Sequence, residues 1–592
     1  MKQLSKQYDM KKSAGHNNQT NSHNNQTNSN NTQANLFKFP IPIIPTISLM
    51  LILASSVIGL VSLQHQAWGK AGVVVWLLLY AIICWSAFLS LKEVIISSWK
   101  QRSFFTSLIL VLFVVLLSYH AGLLRSLSGE TTIAVSCVLD QLSQRADWGF
   151  VSNCFLGYPS RQYLIQAVPT LLFGRNQLSL NFGAVLYFLP GLFIFAHGLR
   201  TTLKPHRYRD QITALALISL FHFHFVNHFL FNQFEQSIFP LSLGLALCGT
   251  ALKFIHSRNS SSLILAGVVL QHLIFAYTPS LALVGLGLTA MIFWLGWQAA
   301  LKKLKLRQLA AGTLIVISSG INLYLSLQIR SDLKISRGTN FNYLPELLQA
   351  AQHLATGQEG IAFASPWLTP VLLVVIVVGL TTWLGWERLM LVLWLLAALA
   401  AAAVSHGYCV YGLDFRLHRG LVVVPVFLII LAELLKKITS PIKQLPQYGQ
   451  RIAAAMMAGL IVVYLAAGLK YHFAYLNNRP NSAHLALITW LQKQNPEQTE
   501  LFFADKYYDA FRSIDDALQY FLPEFDGQQY PSIAQTQCAV NTPGIYLINP
   551  DHRCYPQFKN NSRLKQLGLF HLKRPRGRSI YLAGFSADRP SR

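Results

Sequence analysis

The sequence predicts an α-helical polytopic membrane protein with about thirteen transmembrane helices and a C-terminal extracytoplasmic α/β domain. Three observations lead to this fold class. Of the 592 residues, 53% are hydrophobic and only 12% are charged, whereas a soluble domain carries about 25% charged residues. Apolar segments of roughly 18–22 residues recur as far as residue 470, and each can cross a hydrocarbon core of about 30 Å. After residue 470 these segments stop.

Residues 1–38 are predicted to be a disordered cytoplasmic tail. The tract is polar and low in complexity, and the heptad HNNQTNS occurs at 16–22 and again at 23–29. Such a composition buries too little apolar surface to offset the entropy lost on folding. Metal binding by His16 and His23 is the alternative to a tail without a site.

The predicted transmembrane domain covers residues 39–470. Its apolar spans lie at 43–63, 71–91, 104–124, 178–199, 211–230, 236–254, 261–277, 280–299, 309–329, 367–385, 388–404, 420–435 and 452–469. The net charge is +25, and the Lys and Arg residues lie mostly in short loops on one side of the spans. Because cytoplasmic loops are enriched in Lys and Arg, this charge indicates topology and not a nucleic-acid partner. The predicted location is a bacterial inner membrane, with the N-terminus cytoplasmic.

An odd number of spans places residues 471–592 on the outer, periplasmic side. Apolar spans give way there to alternating helix and strand patterns. The predicted elements are helices at Ala483–Gln494 and Asp515–Phe521 and strands at Leu501–Ala504, Ile545–Ile548, Leu569–Leu572 and Ile580–Ala583. We interpret the segment as a small α/β domain attached to the last span.

A structured outer loop is predicted at residues 125–177, between two spans. Loops longer than about 12–15 residues are usually functional or disordered. This one is expected to be folded because it is rich in aromatic residues: Trp148, Phe150, Phe155, Tyr158 and Tyr163. It also carries three acidic residues, Glu130, Asp140 and Asp147. The sequence therefore predicts a pocket wall at the membrane surface.

Two cysteine pairs fall on the predicted outer side, where disulfides persist. Cys137 and Cys154 share the outer loop, and Cys538 and Cys554 share the C-terminal domain. The alternative is four free thiols.

Acidic residues at membrane depth are rare and usually line a cavity. Glu130 follows the third span, and Glu235 lies in the short outer loop between the fifth and sixth spans. They are expected to meet above one cavity. For Glu235 alone, a place among lipid headgroups is the alternative.

A basic cluster of Arg416, His418 and Arg419 lies in the outer loop 405–419. Arginine suits phosphate because its planar fork donates two parallel hydrogen bonds. The cluster is therefore a candidate site for the phosphate of a lipid-linked substrate, the alternatives being anionic headgroups or a salt bridge to Asp414. Two cations in the outer loop 330–365 are candidates for the same site: Lys334 and Arg337.

The order and spacing of several motifs resemble the GT-C class of polytopic glycosyltransferases, in the branch of aminoarabinose–lipid A transferase and the protein O-mannosyltransferases. The matching pieces are Gly129-Glu130 at the family's acidic doublet, Ala146-Asp147-Trp148 at Gly-Asp-Trp, Pro159 to Tyr163 at Pro-Pro-x-x-Tyr, Leu172-Phe173-Gly174 at Leu-Phe-Gly, Glu235 at the second acid, and Arg416 to Pro425 at the Arg-rich entry to a later span. Two positions depart from the pattern. The doublet's first acid is Gly129 here, and the second family acid is a Glu.

The resemblance implies an inverting transfer of a sugar from a polyprenyl-phosphate donor to a lipid, glycan or protein acceptor on the outer face. Glu130 would be the general base and Glu235 its assistant. Asp147 is a further candidate base, although a loop-positioning role is the favoured interpretation, and Asp140 comes after it. No cofactor is expected. A divalent metal on Glu130 and Glu235 is an alternative, but no third ligand is evident.

The substrate-binding candidates are Arg416, His418, Arg419, Lys334, Arg337 and Tyr163, with the arginines on the donor phosphate. Two other functions stay open. A lipid or polysaccharide transporter would show internal repeats and helices broken near the membrane centre. A non-catalytic scaffold with the same fold is the other, because Gly129 replaces an acid.

Overall fold

The computed structural model describes residues 43–122, 129–154, 158–227, 230, 238–276, 280–301, 305–330, 352, 363–366, 368–370, 374, 377, 418–477, 501–503, 520, 544–548, 554–560, 564–572 and 580–587. Apart from the first residues of α1, the described elements belong to one compact unit, Pro45–Arg592. The predicted tail 1–38 lies outside the described residues.

The described part of the chain is mostly helical. Its helices are α1 (Ile43–Gln64), α2 (Gly69–Gln101), α3 (Phe105–Gly122), α4 (Gly129–Gln144), α5 (Arg161–Phe173), α6 (Gln177–Thr202), α7 (Arg209–Ile218), α8 (His224–Val226), α9 (Phe239–Ser257), α10 (Ser260–Phe275), α11 (Ser280–Ala300), α12 (Leu306–Ile329), α13 (Val424–Thr439), α14 (Gln447–Asn477) and α15 (Tyr555–Asn560).

Seven of the described helices are long and apolar enough to cross a membrane, and two shorter apolar helices accompany them. This confirms a multi-pass membrane protein. The predicted spans 367–385 and 388–404 lie wholly or largely outside the described residues, so the total of about thirteen stays a prediction.

Helices α6 and α9 form the closest pair in the bundle. A Cβ at Gly198 would lie 2.2 Å from the carbonyl oxygen of Gly249, and one at Gly191 would lie 2.1 Å from that of Ser242. Small residues let two membrane helices bring their backbones into contact. Around this pair, α2, α3 and α5 pack on α6, and α10 packs on α9.

The predicted span 211–230 is wrong as a continuous helix. α7 ends at Ile218, a 3₁₀ turn covers Ser219–His222, and Phe223 is extended before the single turn of α8. Phe223 forms an isolated antiparallel bridge with Ala364. The backbone N–H of Ser365 donates to the His222 carbonyl at 2.7 Å. Pairing with a distant segment therefore replaces helical hydrogen bonds here, which no local pattern could show.

The bundle has two distinct ends. The start of α2 and the final residues of α10 and α12 lie together with residues 137–154 and 158–161, and we call this the disulfide end. The end of α2, the start of α3, the end of α6 and the start of α7 lie at the other, which we call the basic end. The predicted outer loop 125–177 contributes to the disulfide end; which side of the membrane each end faces stays a prediction.

Four strands near the C-terminus form one sheet: β1 (Leu501–Phe503), β2 (Gly544–Ile548), β3 (Leu564–Leu572) and β4 (Ile580–Ala587), in the order β1-β2-β4-β3. β1 and β2 are parallel, with Phe502 opposite Tyr546, and the other pairs are antiparallel. Each predicted strand overlaps an observed one. The boundaries of a separate outer domain at 471–592 stay a prediction.

Candidate functional site

The predicted outer loop contains two helices, α4 and α5, joined by a turn and a short bridge. α4 begins at Gly129, so Glu130 is its second residue. The side chain of Glu130 lies outside the described residues. The helix is anchored further along, at Cys137 and Gln141.

A disulfide joins α4 to the segment that follows it. Cys137 and Cys154 are bonded with a Cα–Cα distance of 5.9 Å, which confirms the predicted pair. The Gln141 side chain donates to the Asn153 carbonyl at 3.0 Å and accepts a hydrogen bond from the Ser152 hydroxyl at 3.0 Å. Cys554 is also disulfide-bonded. Its partner lies outside the described residues, so the pairing with Cys538 stays a prediction.

Removing this disulfide is expected to destabilise the folded protein. A cross-link closing a loop of about 15 residues is worth roughly 3 kcal/mol through the entropy of the unfolded chain. We expect Cys137→Ser with Cys154→Ser to lower the thermal unfolding midpoint in detergent by several degrees. Cys84→Ser, which removes a free thiol, is the matched control. A double variant melting at the wild-type midpoint would contradict the prediction.

Asp147 forms a tight turn on the start of α2. Its side chain is buried, and its Oδ1 accepts a hydrogen bond from the Gly149 N–H at 3.1 Å. Trp148 and Gly149 both have positive φ, +49° and +76°. A Cβ at Gly69 would lie 2.4 Å from the Asp147 Cα. This is the geometry of a residue that positions a loop.

Phe150 packs against α2 one helical turn beyond Gly69. A Cβ at Gly72 would come within 2.4 Å of the Phe150 ring. Contacts below 3.0 Å require something to move, so only glycine at this position lets the ring lie against the helix. The turn and α2 are therefore fitted to each other, and residues 147–150 form a fixed wall.

Arg161 is the most unusual side chain at the disulfide end. It is the first residue of α5 and is fully buried. Its Nε–H donates to the Phe150 carbonyl. Its guanidinium carbon lies 3.5 Å from the centroid of the Phe150 ring and 3.9 Å from that of Phe275. The cation is thus held between two aromatic faces, an arrangement that partly offsets its desolvation.

Two nitrogens on the outer edge of the Arg161 guanidinium, Nη1 and Nη2, have no hydrogen-bond partner within the described part of the chain. Burial lowers the pKa of Arg161, but a guanidinium stays protonated in proteins. A buried cation without a counter-ion is costly. The arrangement can therefore receive an anion, and we call Arg161 with Phe150 and Phe275 the arginine cage.

Helix α2 and helix α10 complete the surroundings of the arginine cage. The Trp76 indole N–H donates to the Arg161 carbonyl at 3.2 Å, and the Trp76 ring lies 4.0 Å from that of His272. The Nε2 atom of His272 is buried without a partner in the described residues. The structure places His272 beside the cage.

Arg330 provides a second buried cation at this end. It follows α12, donates from Nε to the Ser326 hydroxyl at 3.0 Å and from Nη2 to the Ala276 carbonyl. The Asn153 side chain donates to the Ile329 carbonyl at 2.8 Å. These bonds tie the ends of α10 and α12 to the folded loop.

Two further candidates, Tyr163 and Asp140, contact other side chains of the protein. Tyr163 is fully buried, and its ring lies 6.3 Å from that of Phe239. Asp140 lies 3.8 Å from Arg175 in a partly exposed salt bridge.

Tyr520 connects the C-terminal part of the chain to α5. Its hydroxyl donates to the Asn176 carbonyl at 3.2 Å and lies 2.9 Å from Thr170 Oγ1. Burial raises the pKa of Tyr520 to about 12, so the hydroxyl keeps its proton at neutral pH. Tyr520 therefore contacts both α5 and the residue that precedes α6.

The end of α5 presents an apolar edge. Leu171, Leu172 and Phe173 are 62%, 70% and 62% exposed. Three successive exposed apolar residues suit the boundary between headgroups and acyl chains. They place the Leu-Phe-Gly motif where a lipid substrate could approach.

Four of the remaining candidates lie outside the described residues: Glu235, Lys334, Arg337 and Arg416. The backbone of His418 and Arg419 forms the start of a 3₁₀ turn, His418–Val423, directly before α13, but their side chains are not described. The convergence of the two glutamates with the arginines therefore stays a prediction. Among the described residues, no group of three potential metal ligands occurs.

Arg161 was not among the sequence-derived candidates. Its signal is an arginine at the start of an otherwise apolar helix, RQYLIQAVPTLLF. Membrane-surface arginines are common, however, and their burial depends on residues such as Phe275 that are distant in sequence.

Comparison with solved structures finds likenesses to this chain. No protein-family model matches the chain, and no curated protein matches it either. Among solved structures, the chain is similar to ArnT from Cupriavidus metallidurans, crystallised bound to undecaprenyl phosphate, with a TM-score of 0.49 and 12% identity over 81% of this chain and 97% of ArnT. With that score and identity, the ligand of ArnT is a fact about ArnT alone.

Proposed function

We propose that this protein is a membrane-embedded glycosyltransferase that moves a sugar from a polyprenyl-phosphate donor to an acceptor at the disulfide end. The observation that carries the proposal is the arginine cage within the folded loop. Within the described part of the chain, the cage provides a buried cation without a counter-ion. Its Arg161 lies on the segment whose motif order resembles GT-C glycosyltransferases.

The four motif pieces of that loop belong to one packed structure. Glu130 lies in the first turn of α4, and the disulfide fixes α4 to the bridge between Asn153 and Pro159. Asp147 holds the turn against α2. The Pro159 to Tyr163 piece leads into α5 and contains Arg161. A catalytic centre needs its residues held on rigid elements. The packing of α4, the turn and α5 provides such elements.

The charge at the disulfide end suits an anionic donor. Arg161 and Arg330 are both buried cations there, and Lys70 lies 5.4 Å from the Trp148 ring. In the proposed reaction, the phosphate oxygen of the donor leaves with the electron pair of its bond to the sugar. A fixed positive charge lowers the energy of that departing anion.

The oxygen of the acceptor hydroxyl forms the new glycosidic bond. Glu130 is assigned as the base that removes its proton while the oxygen attacks the anomeric carbon from the face opposite the phosphate. The sugar is thereby transferred with inversion, and the carrier is released as polyprenyl phosphate. Glu235 is assigned to orient the acceptor, and Arg416 and Arg419 to hold the donor phosphate.

The broken span favours one second candidate, a transporter of a lipid-linked saccharide. Transporter sites are often formed by discontinuous helices, and the break at Ser219–Phe223 is of that kind. His222 lies in it, with Nδ1 2.8 Å from the Ser365 hydroxyl. The two candidates differ in outcome, because a transporter moves its substrate without chemical change.

A transfer assay on the full chain separates these functions. The protein in liposomes would be given a panel of polyprenyl-phosphate sugars labelled in the sugar, with total envelope lipids and glycans as acceptors. We expect label in a new product and release of polyprenyl phosphate, with no transfer from nucleotide sugars. Label that crosses the bilayer unchanged would support the transporter. Donor left intact on its original side with every sugar would overturn both.

A further inference from the structure

A cavity of about 650 Å³ opens at the basic end of the bundle. It lies between the end of α2, the start of α3, the connection 203–208, the start of α7 and α14. Its volume falls within the roughly 300–1,000 Å³ typical of small-molecule sites. It is separate from the folded loop and takes no part in the proposed transfer.

Four permanent cations line this cavity: Arg102, Lys204, Arg207 and Arg209. No carboxylate is among the lining residues. None of the four cations has a carboxylate within salt-bridge distance in the described part of the chain.

The acid next to the cavity is already neutralised. Asp210 forms a buried ion pair with Arg200, and its other carboxylate oxygen accepts a hydrogen bond from the Ser103 hydroxyl at 2.7 Å. The cavity therefore keeps its excess of positive charge.

The lining residues are held in place. Arg207 donates to the Gln450 side-chain oxygen, and Arg209 Nε–H donates to Gln101 Oε1 at 2.9 Å. Arg209 is only 8% exposed. Loose loop lysines would satisfy the positive-inside rule equally well, so topology alone does not explain two arginines that hydrogen bonds hold at the edge of a cavity.

Burial and neighbouring charges shift the pKa values of two groups that line the cavity. Burial is the main cause of the lowered pKa of Arg209, although neighbouring Asp210 opposes it. Burial, then Lys443 and Lys436, lower the pKa of His206, while Glu433 acts in the opposite direction. Each of these groups would be stabilised in its charged form by an anion in the cavity.

We propose that this cavity binds a phosphate group at the predicted cytoplasmic face. Guanidinium groups bind phosphate oxygens through paired charge-assisted hydrogen bonds, and basic pockets between membrane helices commonly receive phosphate headgroups. The phosphate belongs either to an anionic lipid of the inner leaflet or to a soluble phosphorylated compound. The two sources share this chemistry and are separated by the test.

Arg102 gives a variant that removes charge without harming the fold. It ends α2 with φ +52°, in the left-handed region, where glycine is the preferred residue. Arg102→Gly therefore deletes a lining cation and relaxes the backbone. Lys204→Gln removes a second exposed cation from the lining. Lys100→Gln is the matched control, because Lys100 is in the last turn of α2 but does not line the cavity.

The full chain in a neutral detergent would be titrated calorimetrically with inorganic pyrophosphate, dihexanoyl-phosphatidylglycerol and dihexanoyl-phosphatidylcholine. We expect phosphatidylglycerol, pyrophosphate or both to bind tighter than phosphatidylcholine. The double variant Arg102→Gly with Lys204→Gln should bind the favoured probe at least about tenfold more weakly, because it loses two charge-assisted hydrogen bonds to the phosphate. Lys100→Gln should bind as the wild type does.

The probes identify the source of the phosphate. Preference for phosphatidylglycerol with no pyrophosphate binding assigns a lipid headgroup, and pyrophosphate binding assigns a soluble phosphate. Equal binding by the wild type and the double variant would overturn the proposal. An equal loss in Lys100→Gln would also overturn it, because the effect would then come from surface charge in general.

Discussion

Replacing Glu130 with Gln is expected to lower the turnover of sugar transfer by about 10²–10⁴-fold, the range for loss of a general base. Gln is the same size but cannot take the proton of the acceptor hydroxyl. Residue 130 is in the first turn of α4, and the disulfide at Cys137 and the Gln141 hydrogen bond anchor this helix further along, so we expect the backbone of α4 to stay in place. Donor binding should therefore be retained, and the loss should appear in kcat more than in KM.

Glu93→Gln provides the matched control for this measurement. Glu93 is exposed on α2, roughly 36 Å along the helix from Gly69 at about 1.5 Å per residue. Both variants lose one carboxylate, but only Glu130→Gln alters the disulfide end. Turnover of the Glu130 variant at the level of Glu93→Gln, in a protein with wild-type thermal stability, would remove Glu130 from the role of base.

Features that depend on local composition could be predicted from the sequence. The apolar spans follow from runs of hydrophobic residues, because a helix in lipid must satisfy its own backbone and present apolar side chains. The pairing of Cys137 with Cys154 followed from two cysteines sharing one outer loop. The strands near the C-terminus follow from short apolar runs such as Gly544–Ile548.

Features that depend on distant contacts could not be predicted. The break at Ser219–Phe223 exists because Phe363, Ala364 and Ser365 supply the hydrogen bonds that a helix would have made. Nothing in the apolar run around His222 distinguishes it from a helical span, because a buried helix and a buried extended segment have similar composition.

The candidate site shows the same limit. Asp147 attracts attention in the sequence as an acid beside a tryptophan, and its hydrogen bond to Gly149 is local. Arg161 acquires its character only when Phe275 of α10 and Phe150 close around it. Whether a charge is solvated or caged is decided by tertiary packing, so motif positions can be found in sequence before their roles can.

Breaking the buried ion pair at the basic end is expected to cost about 3–5 kcal/mol of stability. The side chains of Arg200 and Asp210 are 4% and 2% exposed. Arg200 also donates to the Ser98 hydroxyl at 2.8 Å, and the Thr106 hydroxyl donates to the Asp210 carbonyl at 3.0 Å. The pair thereby joins α2, α3, α6 and α7 at one point. In Asp210→Asn, the Arg200 charge would stay buried without a counter-ion.

Chemical denaturation in detergent would measure this cost, with Lys436→Gln as the control. Lys436 pairs with Glu433 at 3.0 Å, but both side chains are partly exposed, and such surface pairs contribute about 0–1 kcal/mol. Replacing both buried partners, as Arg200→Met with Asp210→Leu, should recover part of the stability lost in Asp210→Asn, since no unpaired charge remains. If Asp210→Asn were no less stable than Lys436→Gln, the ion pair would not hold these four helices together. The junction would then depend on apolar packing and on the close α6–α9 contact at Gly198 and Gly249.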